Sequence, residues 1–112
     1  MSCLFCMIID GSIPSAAVYQ DDDCYAFADI DPKAPVHILI VPRTHIASLA
    51  EATAADAPLL GRLLEVAARI ARDKGLGTGY RAVINTGPDG GQSVDHLHVH
   101  LLGGRPMAWP PG

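Results

Sequence analysis

Three histidines separated by single apolar residues, His96-Leu97-His98-Val99-His100, are the residues of this chain most able to do chemistry. Side chains alternate along an extended strand. The spacing therefore predicts three imidazoles on one face, with Leu97, Val99 and Leu101 on the other. Three titratable rings in a row build a poor core, so a strand of merely buried, hydrogen-bonded histidines is the lesser reading. Two chemistries use such a strand. Imidazoles at i and i+2 can converge on zinc with a third ligand from elsewhere. Alternatively, a neutral imidazole with one nitrogen protonated and the other bare can itself attack phosphorus. The preceding Asp89-Gly90-Gly91-Gln92-Ser93 offers unencumbered backbone amides, a carboxamide and a hydroxyl, which suit a phosphate and favour the second chemistry.

The elements that must position these residues can be read from pattern. The 112 residues suit a single domain, 1–112, with one modest core. A formal charge of -4 leaves no electrostatic footprint for nucleic acid. No apolar run is long enough to span a membrane, and no secretion signal opens the chain, so a soluble cytoplasmic protein is expected. Leu4 to Ile9 reads as a helical turn closing at Asp10-Gly11. Val18-Tyr19-Gln20 and Cys24 to Ile30 read as a hairpin around Asp21-Asp22-Asp23, taken as a solvated tip. Val36 to Val41, between two prolines, reads as a central buried strand containing His37. A brief helical turn is expected over Ser48 to Ala52. The long helix starts at a capping box from Thr53 or nearer Asp56, and Gly75 ends it. Its stripe of Leu59, Leu60, Leu63, Leu64, Ala67, Ile70 and Ala71 should cover one sheet face. Tyr80 to Asn85 reads as a strand, Thr86 to Gly91 as a glycine-rich loop, and the histidine strand follows. Asp95 would then face the core side and need a partner. Trp109 stands in a proline-rich tail and should be buried against this subunit or another. Hairpins with one long helix and no strand–helix alternation predict an α+β fold with an antiparallel sheet.

Gly91-Gln92-Ser93-Val94 followed by His96-Leu97-His98-Val99-His100-Leu101-Leu102 resembles the histidine triad signature, His-φ-His-φ-His-φ-φ with φ apolar. Ile13-Pro14-Ser15, Asp29-Ile30, Ala34-Pro35-Val36-His37, Gly79-Tyr80-Arg81, Asn85 and Gly103-Gly104-Arg105 fall in the same order, and Trp109-Pro110-Pro111-Gly112 is the most specific match. The chain is therefore similar to the histidine triad nucleotide-binding branch of the histidine triad (HIT) superfamily, the purine nucleoside phosphoramidases. That resemblance implies five antiparallel strands, one long and one short N-terminal helix, and sheets joined across a homodimer with Trp109 near the partner's active site. It implies that His98 is the nucleophile on a purine nucleoside phosphoramidate, with an amine and a monophosphate as products. It places His100 and Ser93 beside the phosphate and leaving group, with His37 orienting the site. Asn85, Gly91, Gln92, Ser93 and the Val94 backbone would hold the phosphate. Asp29 would accept the ribose hydroxyls, and Leu4, Phe5, Ile8, Phe27 and Ile30 would enclose the base.

Cys3 and Cys6 form a C-x-x-C, and an odd total of three cysteines argues against a disulfide framework. Some microbial relatives resemble this chain in pairing such cysteines with two histidines, here His45 and His96. The set suits a closed, structural zinc site, with no cofactor required for the chemistry. Packed thiols and a surface histidine are the plainer alternative. Three functions remain in competition: a hydrolase working through a nucleotidyl-histidine, a zinc hydrolase using His96, His98 and His100 as ligands, and a nucleotide-binding regulator with little turnover.

Overall fold

The computed structural model describes residues 3–112. Its elements run α1 (Leu4–Ile9), β1 (Ala17–Gln20), β2 (Cys24–Ala28), β3 (Val36–Pro42), 3-10 turns at Leu49–Glu51 and Ala54–Asp56, α2 (Ala57–Asp73), β4 (Tyr80–Val83), α3 (Gly87–Gly90) and β5 (Val99–Gly103). The five strands form one sheet in the order β1-β2-β3-β5-β4, antiparallel at every pairing. The α+β reading stands. No helix among the described residues is long and apolar enough to cross a membrane.

Alternation along β3 sorts the two sides of the sheet. Ile38 and Ile40 join Val99 and Leu101 of β5 against Leu63, Val66, Ala67 and Ile70 of α2, which makes the larger core. Leu39 and Val41 point the other way, joining Tyr25 and Phe27 of β2 beneath Phe5 and Ile8 of α1. A helix of only six residues covers little of that second face. The rest stays open, and His37 and His100 stand on it: His37 lies opposite Leu102 and Leu39 opposite His100, so the two imidazoles are diagonal neighbours.

Several boundaries differ from expectation. The histidine strand starts only at Val99, whose partner is Ile40. Upstream the chain turns: the His96 amide donates to the Val94 carbonyl at 2.9 Å and the Leu97 amide to the Ile46 carbonyl at 2.7 Å. His96 and His98 thus precede the ladder, and the expected row of three rings on one strand face does not form. Asp95 lies on this bend, exposed to solvent, and needs no buried partner. β2 ends at Ala28 and β4 at Val83, while the loop after β4 contains the four-residue α3. Both start signals for the long helix are used. Thr53 and Asp56 form the capping box of the second 3-10 turn, and α2 follows with Pro58 in its first turn.

The acidic tip is more than solvated. Asp21 accepts from the amides of Asp23 (2.8 Å) and Cys24 (2.7 Å), from the Tyr19 hydroxyl (2.7 Å) and from Arg62 of α2 (2.7 Å). Burial pushes its carboxyl up, but these bonds outweigh that and hold it well below the usual carboxylate range. The hairpin is thereby tied to the helix over the core. At the opposite end Gly104 follows β5 with φ +88, and a Cβ there would lie 2.9 Å from Pro35, a close approach that only glycine permits.

Candidate active site

His98 is 3% exposed, and its Nδ1 lies 2.7 Å from the His96 carbonyl oxygen. A carbonyl only accepts, so Nδ1 carries the proton and the neutral ring presents its lone pair at Nε2. Phe5 packs edge-on against this imidazole, with ring centroids 5.1 Å apart, and His100 flanks it at 4.9 Å. A second chain of bonds settles the other two rings. The Lys33 amide donates to His37 Nδ1 at 3.0 Å, so His37 carries its proton on Nε2. That nitrogen lies 2.9 Å from His100 Nδ1 and 3.4 Å from the Asp29 carboxylate. His100 Nδ1 is then an acceptor, and its hydrogen sits on Nε2.

These rings are held uncharged. Burial pushes His100 down to about 4, helped by the adjacent His98 and His37 and opposed by Asp29. Burial likewise lowers His37, against the pull of the Asp29 carboxylate. Each can therefore keep one donor and one acceptor through the neutral range.

A cavity of about 260 Å³ opens beside His98 and His100. Of the residues expected around a nucleotide, Leu4, Phe5, Ile8, Phe27, Asp29, Ile30, Ser93 and Val94 line it together with these two histidines. Ile30 is fully exposed at its rim. Ile13, Ser15 and Leu39 also line it and carry no separate expectation from chemistry. Leu39 was legible in principle, since alternation puts it on the same face of β3 as His37. Lys33 had no signal, because its backbone rather than its side chain positions His37. His37 and Asn85 lie apart from this cavity and border an adjoining hollow with His100. Gly91 caps α3 at φ +80. Gln92 holds the loop internally: its Oε1 accepts from the Gly87 amide, and its Nε2 donates to the carbonyls of Ala47 and Val94. Both carboxamide hydrogens have protein acceptors, and its backbone amide donates to the Gly87 carbonyl at 3.1 Å.

His96 belongs to another group. Its Nε2 lies 2.9 Å from the Pro42 carbonyl, which places the proton there and turns the Nδ1 lone pair toward Cys3 and Cys6. Cys3 Sγ, Cys6 Sγ, His45 Nδ1 and His96 Nδ1 all lie within 4.8 Å of one another. The Cys3–His96, Cys6–His45 and Cys6–His96 separations are 3.3, 3.5 and 3.6 Å, and the two Nδ1 atoms are 3.2 Å apart. Tetrahedral zinc with ordinary bond lengths sets its ligands about 3.3–3.8 Å apart, so the donor set fits. His96, His98 and His100 do not converge on one point, which removes the geometry that a zinc hydrolase using the triad would need.

The sequence profile of the HIT domain matches residues 10–107. The chain belongs to the HIT domain family. A HIT-like protein of Synechococcus elongatus is 59% identical over 109 residues, covering 97% of this chain and 96% of that protein. The crystal structure of a HIT family hydrolase from Legionella pneumophila superposes with a TM-score of 0.97 at 48% identity, covering 99% of this chain and all of that one. A histidine triad nucleotide-binding protein from Candida albicans gives 0.83 at 33% identity, covering 99% of this chain and 85% of that one. The fold is that of the HIT family hydrolases.

His100 gives a direct test of the desolvated site. Its folded value of about 4 lies below the ordinary 6.5, so the unfolded chain binds more protons between those values. The stability it contributes is fully present above about pH 6.5 and is lost as pH falls through 4. Imidazole NMR should show one ring still neutral at pH 5; titration of all five histidines near 6.5 would refute the assignment.

Proposed function

We propose that the protein hydrolyses purine nucleoside 5'-phosphoramidates through a nucleotidyl-histidine intermediate. The observation that carries this is the orientation of His98, whose Nδ1–H is engaged by a carbonyl and whose Nε2 is left as a nucleophile beside an apolar cavity ending in a carboxylate. The apolar walls suit a purine and Asp29 suits a ribose diol. His98 Nε2 attacks the α-phosphorus, and the P–N bond breaks with its electron pair on the amine nitrogen, which takes up one proton. The Nδ1–H bond to His96 stabilises the positive charge that the attacking ring acquires. Water then attacks phosphorus and loses one proton, the P–Nε2 bond breaks, and the monophosphate leaves. His100 Nε2–H is a donor for the phosphoryl oxygens, and His37 keeps it in that tautomer.

Wild-type protein should release AMP from adenosine 5'-phosphoramidate, and His98→Ala should lower kcat by roughly a thousandfold or more. Mass spectrometry of quenched wild type should find AMP on the peptide containing His98. Tight AMP binding without turnover of any phosphoramidate would favour the regulatory-module reading instead.

Zinc held by Cys3, Cys6, His45 and His96 would supply a cross-link between α1, the segment after β3 and the bend before β5. It takes no part in the bond-making steps. Metal analysis should find one zinc per chain, and Cys6→Ala should abolish it and lower Tm by about 5 °C or more. Metal-free wild type with unchanged Tm would refute a structural metal.

A homodimer joined along β4 is consistent with that strand's position at the sheet edge and with the exposure of Tyr80 and Trp109, the latter 83% exposed rather than buried on its own chain. Arg81 of β4 donates to the carbonyls of Ala108 and Pro111 and anchors the tail beside that edge. Light scattering should give twice the 11.8 kDa chain mass, and a monomer at micromolar concentration would exclude the dimer.

A further inference from the structure

The hollow on the other side of His100 encloses about 310 Å³. His100 lines both spaces, so groups bound in either would meet the same imidazole. The two differ sharply in charge. The walls of the second hollow contain Lys33, Arg81 and Arg105 and no carboxylate residue, in a chain whose formal charge is -4. Its two histidines, His37 and His100, are the rings that burial holds uncharged.

The guanidinium groups are fixed without being neutralised. Arg81 donates to the carbonyls of Ala108 at 2.8 Å and Pro111 at 3.4 Å. Arg105 donates to the carbonyls of Lys33 at 3.0 Å and Pro106 at 3.2 Å. Among the described residues neither arginine forms an ion pair. Carbonyl dipoles orient a cation but leave its full charge available to a ligand. Lys33 Nζ meets only Asp31, at 2.7 Å, and both side chains are mostly exposed, so an incoming anion competes with a weak surface pair.

We propose that this hollow is the leaving-group subsite and that it selects phosphoramidates whose departing amine bears a carboxylate. The proposal rests on the phosphoramidase reading above. With the nucleoside in the apolar cavity, the amine leaves by another opening, and the cationic hollow is the one that shares His100. Carboxylate capture there aligns the P–N bond by holding the far end of the leaving group, so the preference appears chiefly in KM. A terminal ammonium in the same place meets three like charges.

The test uses three AMP phosphoramidates that differ only at the far end of the amine: 4-aminobutyrate, 4-aminobutanamide and butane-1,4-diamine. For wild type, kcat/KM should fall in that order, by roughly tenfold from first to second, and the spread should shrink as salt rises. Lys33→Glu and, separately, Arg105→Gln should narrow the spread, the charge reversal more strongly. Rates equal within twofold, or a preference for the ammonium, would overturn the subsite. Calorimetry on His98→Ala ranks the affinities of the same compounds without turnover. If wild type cleaves none of them, the phosphoramidase reading fails, and these affinities still decide the subsite: the carboxylate compound must bind tighter than the amide and the ammonium, or the proposal falls.

Discussion

One buried hydrogen bond, from Nδ1 of His98 to the carbonyl of His96 at 2.7 Å, is the constraint on which the site depends. It selects one tautomer of the central imidazole and leaves Nε2 bare. The bond exists because the chain bends before β5, which brings the backbone of the first histidine under the ring of the third residue of the motif. In a regular strand that carbonyl would face a neighbouring strand instead. The bend is in turn held by the Leu97 amide on the Ile46 carbonyl and by the side chain of Gln92, which fastens the loop at three points. A feature of apparent sequence simplicity thus rests on backbone geometry supplied by distant segments.

The same bend divides the histidines. His96 turns its ring to Cys3, Cys6 and His45, while its carbonyl serves His98. The residue therefore links the cluster of four potential metal donors to the His98 imidazole through a single backbone unit. His100 stays on the sheet, diagonal to His37, and the tautomer of this pair is set by a backbone amide from Lys33. Desolvation lowers both rings, His100 to about 4, which favours the neutral forms that this hydrogen-bond order requires.

The two faces of the sheet are unequal for a simple reason of length. A helix of 17 residues buries the central strands on one face, whereas α1, with six, covers only the part over Phe27, Leu39 and Val41. The six-residue α1 leaves the remainder open, and His37 of β3 and His100 of β5 face it. An apolar cavity bounded by α1 on one side of His100 and a cationic hollow bounded by the tail on the other follow from that arrangement.

The amino-acid sequence by itself determined the fold class, the long helix and its two start signals, the buried central strand, and the identity of the chemical residues, since periodicity, capping and motif spacing are local properties. It also grouped Cys3, Cys6, His45 and His96 through a family resemblance, and the tertiary structure brought those four donors within 4.8 Å. Only the tertiary structure decided that the histidine strand begins as late as Val99, that Asp21 is an anchor and not a free tip, and that Asp95 faces solvent. Each of these depends on a partner far along the chain: Ile46 for the bend, Arg62 for Asp21, Pro42 for His96. Alternation assumes a strand, and where a strand begins is set by which backbone groups find partners, a non-local matter that residue pattern does not contain.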